Sequence, residues 1–198
     1  MKFKKTTLYD SQYSSELLDH AESFYTFATK YKGKYESSLG TKIVGGFKSW
    51  NGFADELTWS SLWLYYRTGK KSYLLRAQKL YQVQHFERLA DPFSWDNKHA
   101  GIQLLLAEVT KVRSMTSSLR DFSGYCDEAV NGEKSSAGLL FQGEWGVLRY
   151  SMNTAFLCLF GSDLGVNDKA WIQMAEEQVK YSVVWQQIEF RVRKSRSN

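Results

Sequence analysis

The segment FSWDNKHAGIQLLLA, residues 93–107, places an aromatic residue and a carboxylate side by side at the start of a helical pattern. Trp95 and Asp96 end an aromatic run, and apolar residues such as Ile102 and Leu105 then follow at helical spacing. Asp96 could cap the helix by accepting hydrogen bonds from its free amide groups, while Trp95 packs on the core. A sugar-binding loop would also set an aromatic face beside a carboxylate. The stretch by itself leaves both interpretations open.

Asp55 and Glu56 form a second arrangement that could carry chemistry, because two adjacent carboxylates resemble an acid–base pair. Their side chains point about 100° apart if they begin a helix, as the pattern predicts. Acidic residues at a helix start interact favourably with the helix dipole. We therefore predict a structural role for both.

The cysteines and histidines do not suggest a metal site. Cys126 and Cys158 do not have the spacing of metal ligands, and two cysteines do not form a disulfide framework. We therefore predict two free, buried thiols. His20, His85 and His99 share no ligand spacing either. The sequence predicts no cofactor and no metal.

The composition indicates a folded domain and argues against several partners. The chain has 198 residues, 43% of them hydrophobic and 24% charged, which is enough apolar content to bury a core. Its net charge of +5 is scattered until the last residues, so we predict no nucleic-acid binding. No apolar run of about 18 residues occurs, which predicts no membrane span. The basic start MKFKKTTLYDS is not followed by an apolar stretch, so no signal peptide is predicted.

Apolar periodicity predicts an all-α fold of about seven helices. The predicted helices lie near residues 11–31, 54–68, 72–89, 97–111, 118–130, 144–160 and 168–181. Gly69 is the predicted C′ residue of the second helix, and Asn167 is the predicted N-cap of the last. A single proline in the chain favours long helices. Inner helices that are apolar nearly all round alternate with amphipathic outer helices, as in a barrel of helical hairpins.

Four stretches resemble a known family, in the same order and at similar spacing. They are LLDHAESFYTFATKYKGKY, SWNGFADELTWSSLWLYYRTGKKSYL, FSWDNKHAGIQLLLA and GLLFQGEWGVLRYSMNTAFL. From about Leu8 to Tyr181 the chain is similar to glycoside hydrolase family 9, the endo-β-1,4-glucanases (cellulases) with a six-hairpin (α/α)6 barrel. The resemblance implies an extracellular enzyme that hydrolyses β-1,4-glucosidic bonds in cellulose and related glucans. Its expected partner is a β-1,4-glucan polysaccharide or a cello-oligosaccharide.

The resemblance also implies five substrate-binding residues. Asp96 would contact glucose hydroxyls, Trp50 would be a stacking platform, and Trp145, Arg149 and Tyr150 would line the cleft. Trp145 and Arg149 are spaced i, i+4 on one helical face, and Tyr150 lies about 100° further round. A flat indole matches the apolar face of a sugar ring, and a guanidinium and a phenol add directional hydrogen bonds. Core packing for Trp145 and a surface or salt-bridge role for Arg149 are the alternatives.

The catalytic groups that the resemblance implies do not occur in this chain. Hydrolysis with inversion needs a carboxylic acid and a carboxylate base about 6.5–9.5 Å apart. In the family the base comes from an Asp-Ala-Gly-Asp motif and the acid is a Glu beyond a His-x-Arg segment, and neither motif is present. Phe47 is a further departure, because the family usually has tyrosine there. We predict no catalytic residue in this chain and no activity of this chain alone.

The domain division expected from the resemblance is a partial family 9 catalytic domain at 1–181 and a divergent basic tail at 182–198. The tail, SVVWQQIEFRVRKSRSN, matches nothing in the family, as a frameshift, a retained intron or an alternative exon would produce. The chain is thus expected to be the middle of a cellulase, with apolar edges that further helices would cover. The alternatives are a non-catalytic glucan-binding remnant or truncated isoform, and an all-α scaffold without a carbohydrate role.

Overall fold

The computed structural model describes residues 10–110, 117–166 and 168–196. These ranges contain nine α-helices: α1 Ser11–Lys30, α2 Tyr35–Leu39, α3 Thr41–Val44, α4 Ala54–Thr68, α5 Lys71–Val83, α6 His99–Thr110, α7 Ser117–Asn131, α8 Val147–Gly161 and α9 Lys169–Arg196. Within them the only β pairing is the isolated bridge between Lys134 and Leu140, so the all-α prediction is confirmed. None of the described helices is both long enough and apolar enough to cross a membrane.

Several helix ends follow the local sequence signals. The Asp10 side chain caps α1 by accepting the backbone N–H of Gln12 at 2.8 Å. Gly69 ends α4 in the left-handed conformation with φ of 70°, as predicted. Asn167, the predicted cap of α9, lies outside the described residues. Asp168 next to it accepts the Ala170 N–H at 2.7 Å.

Two helices differ from their predicted lengths. α5 ends at Val83 instead of residue 89, because the chain turns at His85, whose φ is 55°, and directs Phe86 into the core. α9 continues to Arg196 instead of ending at 181, and the segment 182–196 contains neither glycine nor proline to stop it. The division into a domain at 1–181 and a tail at 182–198 stays a prediction. α9 crosses that boundary without a break.

The helices pack as hairpins with an inner and an outer member. α5 packs on α4, α7 on α6 and α9 on α8, while α6 also contacts α4 and α8. Every residue of α6 from His99 to Ala107 is buried, so this helix is surrounded by its neighbours. At Gly101 the packing is so close that a Cβ would lie 2.6 Å from the Phe93 ring and 2.7 Å from the Trp59 ring.

Cys126 and Cys158 form a disulfide bond, so the prediction of free thiols is wrong. Cys126 lies on α7 and Cys158 on α8, and both are fully buried. Their separation of 32 residues carries no information about pairing. The two sulfur atoms meet only because α7 and α8 pack against each other, which is a tertiary contact.

One side of the helix array remains open and apolar. α1 packs on α4, where the Tyr25 hydroxyl lies 2.6 Å from Ser61 Oγ. A cavity of about 690 Å³ opens between the two helices, and its lining includes Leu17, Phe24 and Trp63. Phe24 is 71% exposed, which agrees with the expectation of apolar edges.

Candidate functional site

The Asp96 carboxylate reaches the loop before α4 and does not cap α6. Its two oxygens accept the backbone N–H of Trp50 at 3.0 and 3.3 Å, and Asp96 is buried. The Asn51 amide donates to the Asp96 carbonyl at 3.1 Å and closes the same junction. Trp50 and Asp96, which are 46 residues apart, therefore meet as a pair. The capping interpretation of Asp96 is wrong.

Two other side chains satisfy the amide groups at the start of α6. Asn97 Oδ1 accepts the His99 N–H at 2.9 Å. Asp55 Oδ2, which is buried in the first turn of α4, accepts the Lys98 N–H at 2.8 Å. Asp55 thus has a structural contact that joins the N-terminal ends of α4 and α6, in agreement with the prediction for this residue.

The Trp50 indole is open to solvent, with 62% of the residue exposed. Asp96 binds the backbone N–H of Trp50 and leaves the indole ring exposed. The Lys48 ammonium lies 3.8 Å from the ring centre in a cation–π arrangement. The Phe47 and Trp95 rings lie 6.2 Å apart, and both are exposed, so the core interpretation of Trp95 is also wrong. Exposed aromatic rings therefore occur on the loops before both α4 and α6.

Trp145, Arg149 and Tyr150 form a separate group at the start of α8. Trp145 is 84% exposed, so the core alternative for it is wrong. It precedes the helix, which begins after Gly146 with φ of 73°, so the shared helical face predicted for Trp145 and Arg149 does not form. The Arg149 guanidinium instead donates to the Tyr150 hydroxyl at 2.8 Å and lies 4.5 Å from the centre of that ring.

Both groups lie at the same end of the helix array. The bond from the Lys98 N–H to Asp55 places the N-terminal ends of α4 and α6 side by side. Asn153, in the second turn of α8, donates to the Phe93 carbonyl at 3.0 Å in the loop before α6. The N-terminal parts of α4 and α8 therefore each lie beside the segment that leads into α6. That the two groups bind one ligand together stays a prediction.

Glu56 differs from its neighbour Asp55 in its environment. Burial raises the pKa of the Glu56 carboxyl to about 8, and the hydrogen bond and charge of Asp55 act in the same direction. One carboxyl oxygen, Oε2, is buried without a hydrogen-bond partner, and Oε1 lies 3.8 Å from the Lys98 ammonium. Glu56 also lines the cavity between α1 and α4. This carboxyl is therefore mostly protonated at neutral pH.

Sequence reasoning missed three residues around the Trp50–Asp96 junction. Lys48 lies over the Trp50 ring, and Lys98 binds the loop that carries Asp96. Tyr35 is the third: desolvation, with the charges of Glu36 and Asp96 acting in the same direction, raises the pKa of its hydroxyl. The available signal was the position of the two lysines, each two residues from a predicted site residue.

No cluster of three or more His, Cys, Asp or Glu side chains that could hold a metal ion occurs in the part of the chain that the structure describes. The side chains that the site presents are indoles, hydrogen-bonding groups and single carboxylates. Such a set suits the recognition of a polyhydroxylated ring, because indoles contact its C–H faces and polar groups bind its hydroxyls.

Fold and site together define an all-α protein of paired inner and outer helices, with exposed indoles beside a buried carboxylate at one end. Residues 1–183 match the sequence model of Glycosyl hydrolase family 9, and the chain belongs to that family. It is 34% identical to Endoglucanase B of Cellulomonas fimi over 181 residues, which is 87% of this chain and 17% of that protein. With Endoglucanase A of Bacillus pumilus it shares 34% identity over 189 residues, or 90% of this chain and 27% of the relative.

Solved structures agree with the sequence relatives. The endoglucanase of the termite Nasutitermes takasagoensis superposes with a TM-score of 0.80 at 33% identity, over 87% of this chain and 39% of that one. The endoglucanase CelQ of Clostridium thermocellum, solved with cellobiose and cellotriose, superposes with a TM-score of 0.70 at 26% identity, over 84% and 29% of the two chains. The chain thus spans well under half the length of these relatives, and its helices are part of the same fold.

Proposed function

We propose that the loops before α4, α6 and α8 form part of the substrate cleft of an endo-β-1,4-glucanase. The observation that carries this proposal is the Trp50–Asp96 junction, in which an exposed indole is held in place by a carboxylate from another loop. Family membership and the endoglucanase relatives support cellulose or a related β-1,4-glucan as the polymer. The complex of CelQ with cellobiose and cellotriose supports cello-oligosaccharides as ligands.

Trp50 and Trp145 are the stacking residues of this proposal. An exposed indole gains contact area when it covers the C–H face of a glucose ring, and its cost in conformational entropy is small because its backbone is fixed. Asp96 fixes the backbone of Trp50, while Arg149 and Tyr150 hold each other. Arg149 and Tyr150 offer hydrogen bonds to sugar hydroxyls, and Asp96 acts on the sugar chiefly through the position of Trp50.

Hydrolysis by the family mechanism would proceed with inversion and requires two carboxyl groups on opposite faces of the scissile bond. Asp96 is the one carboxylate among the five proposed site residues, and both its oxygens are turned to a backbone N–H. It therefore supplies neither a free acid nor a free base. We infer that the 198-residue chain binds glucan without cleaving it. On this proposal the chain is a piece of an endoglucanase; the alternative is a glucan-binding remnant or truncated isoform that has no catalytic role.

An extracellular location fits this proposal. Cellulose is an extracellular polymer, and disulfide bonds persist in oxidising compartments. The buried bond between Cys126 and Cys158 is of the structural kind that such compartments maintain. No nucleic acid and no membrane is proposed as a partner.

Calorimetric titration of the purified chain with cellotetraose tests the proposal. Trp50→Ala and Trp145→Ala should each weaken binding about tenfold, because each removes most of a large apolar contact worth about 1.5 kcal/mol. Phe156→Ala is the matched control, since Phe156 is 66% exposed on α8 but lies beyond its first two turns. Absence of binding by the unmodified chain, or equal weakening in all three variants, would refute a glucan site at these loops.

A further inference from the structure

Lys98 links α4 to the loop that carries Asp96. Its backbone N–H donates to Asp55 Oδ2 at 2.8 Å, which anchors the residue to the first turn of α4. Its side chain turns back and donates from Nζ to the Ser94 carbonyl at 2.9 Å and to the Trp95 carbonyl. Only 16% of the side chain is exposed. A lysine so covered has exchanged water for specific acceptors and is not a solvated surface charge.

The contact with the Trp95 carbonyl restrains the peptide unit that precedes Asp96. That carbonyl belongs to the same planar peptide unit as the Asp96 N–H, so a donor that fixes the carbonyl also fixes the plane from which Asp96 extends. Asp96 in turn accepts the Trp50 N–H at 3.0 Å. A continuous set of contacts therefore runs from Lys98 through the Trp95–Asp96 peptide to the exposed Trp50 indole.

The loop's own hydrogen bonds do not replace this link. The Ser94 N–H donates to the Asn97 carbonyl at 2.9 Å, and the Asp96 N–H donates to Ser94 Oγ at 3.3 Å. Both bonds act within the loop and preserve its shape. These two bonds do not attach the loop to α4. Lys98 does, because its backbone N–H binds Asp55 on α4 and its ammonium binds carbonyls of the loop. Glu56 Oε1, at 3.8 Å from Nζ, adds a further oxygen from α4 near the ammonium.

We propose that Lys98 is a positioning residue for glucan binding, which holds the Ser94–Asp96 loop against α4 so that Asp96 keeps the Trp50 indole in its binding position. This inference rests on the proposed function, since it explains how the stacking platform is held. Lys98 itself does not touch the sugar in this scheme. Its effect on affinity passes through the Trp50 N–H.

The experiment compares three variants of the full 198-residue chain. Lys98→Met removes the donors and keeps the length of the side chain, while Lys98→Arg keeps charge and donors. Lys70→Met is the matched control, because the Lys70 ammonium also makes a side-chain hydrogen bond, to Glu22 at 2.5 Å, but joins α1 to the start of α5 away from the loop. Two quantities are measured: the hydrogen exchange rate of the Trp50 amide by NMR, and the dissociation constant for cellotetraose.

Lys98→Met should accelerate exchange at Trp50 about tenfold and weaken cellotetraose binding about tenfold, as expected for the loss of a charged hydrogen bond. Lys98→Arg should restore both quantities to within about threefold, and Lys70→Met should leave both unchanged. If Lys98→Met does not fold, Lys98→Gln, which has a shorter side chain with an amide NH2 group and no charge, is measured in its place with the same expected direction. Unchanged exchange at Trp50 in the Lys98 variant, or equal acceleration in Lys70→Met, overturns the proposal.

The two readouts separate this inference from the proposed function. Exchange at the Trp50 amide needs no ligand, so it tests the positioning role of Lys98 even if the chain does not bind cellotetraose. Accelerated exchange without any sugar binding by the unmodified chain would refute the glucan site and leave the link from Lys98 to Trp50 supported as a structural fact. Sugar binding that is insensitive to Lys98→Met would refute the positioning role alone.

Discussion

At the scale of single residues, the carboxylates near the site have separate tasks. Asp55 accepts a backbone N–H at the start of α6, and Asp96 accepts one at Trp50. Each of these two carboxylates thus binds a backbone N–H of another segment and holds that segment in place. Glu56, in contrast, has a buried oxygen without a partner. The adjacent residues Asp55 and Glu56 therefore have different surroundings in the folded chain.

Asp96→Ala should weaken cellotetraose binding by at least about tenfold, because the Trp50 N–H loses a charged acceptor and the indole loses its fixed position. Asp96→Asn should have a smaller effect, since its amide oxygen still accepts one hydrogen bond. Calorimetric titration measures both. Asp168→Ala serves as the control, because it removes a similar bond at the start of α9, where only stability should change, by about 1 kcal/mol. Wild-type affinity in Asp96→Ala would contradict the prediction.

Glu56→Gln should change how stability depends on pH. The pKa of Glu56 is raised from 4.5 to about 8 in the folded protein, so the folded state keeps a proton that the unfolded state releases. The contribution of Glu56 to the free energy of unfolding is therefore fully present below its unfolded-state pKa of 4.5. It is lost as the pH rises through the folded-state pKa of about 8. The glutamine variant, which does not titrate, should lose less stability than the unmodified chain between about pH 5 and pH 9.

The expected difference for Glu56→Gln is on the order of 1 kcal/mol, well below the full linkage value, because solvent screens a side chain that is 40% exposed. Urea unfolding at several pH values measures it. Glu176→Gln, in an exposed pair with Lys180 at 3.4 Å, is the control and should keep the pH slope of the unmodified chain. A Glu56→Gln variant whose stability falls as steeply with pH would show that this carboxyl does not retain its proton.

At the scale of helices, the site depends on three inner helices that present their N-terminal ends together. Direct hydrogen bonds between α4 and the loop before α6, and between that loop and α8, set this arrangement. The outer helices contribute by holding the inner ones, and α7 is joined covalently to α8 through Cys126 and Cys158. The rigidity of the loops therefore derives from the packing of the hairpins beneath them.

Replacing both cysteines with alanine should lower the free energy of unfolding by about 3–4 kcal/mol, the chain-entropy value for a loop of 32 residues. Urea unfolding measures the loss. A reductant should produce a similar loss in the unmodified chain and none in the double variant, which is the internal control. The same stability with and without the cysteines would show that the bond does not restrain the unfolded chain.

At the scale of the whole molecule, one side of the helix array is open and apolar. α1 and α4 leave an apolar cavity of about 690 Å³ between them, with Trp59 and Trp63 in its lining. In an (α/α)6 barrel such a face packs against neighbouring hairpins, because exposed apolar surface of this size is unfavourable in water. The superposition covers 39% of the termite endoglucanase chain.

The 198-residue chain should show no measurable hydrolysis of carboxymethyl-cellulose in an assay of reducing ends. General acid and general base catalysis each contribute about 10²–10⁴-fold, and the motifs that supply both groups in the family are absent from the sequence. The Cellulomonas or Bacillus relative is the positive control for the assay. Clear turnover that disappears in Asp96→Asn would reveal a second acid within this chain and contradict the prediction.

Local sequence patterns were sufficient to predict the all-α class, the positions of the seven long helices and the glycine that ends α4. Apolar periodicity and terminating residues act within a few turns, so they can be read from neighbouring positions. The motifs around Trp50, Asp96 and Trp145 likewise indicated the family. Helix ends were less predictable, because the end of α5 depends on Phe86 entering a core made by other helices.

Contacts between distant segments were decided by the tertiary structure alone. The Asp96 carboxylate could have capped its own helix, but it binds Trp50 because the loop before α4 lies beside it. The two cysteines pair because α7 packs on α8, and Glu56 keeps its proton because burial and Asp55 disfavour its charge. The Lys98 N–H binds Asp55 because the first turn of α4 lies beside the start of α6. In each case the partner comes from another element, and packing determines which partner is within reach.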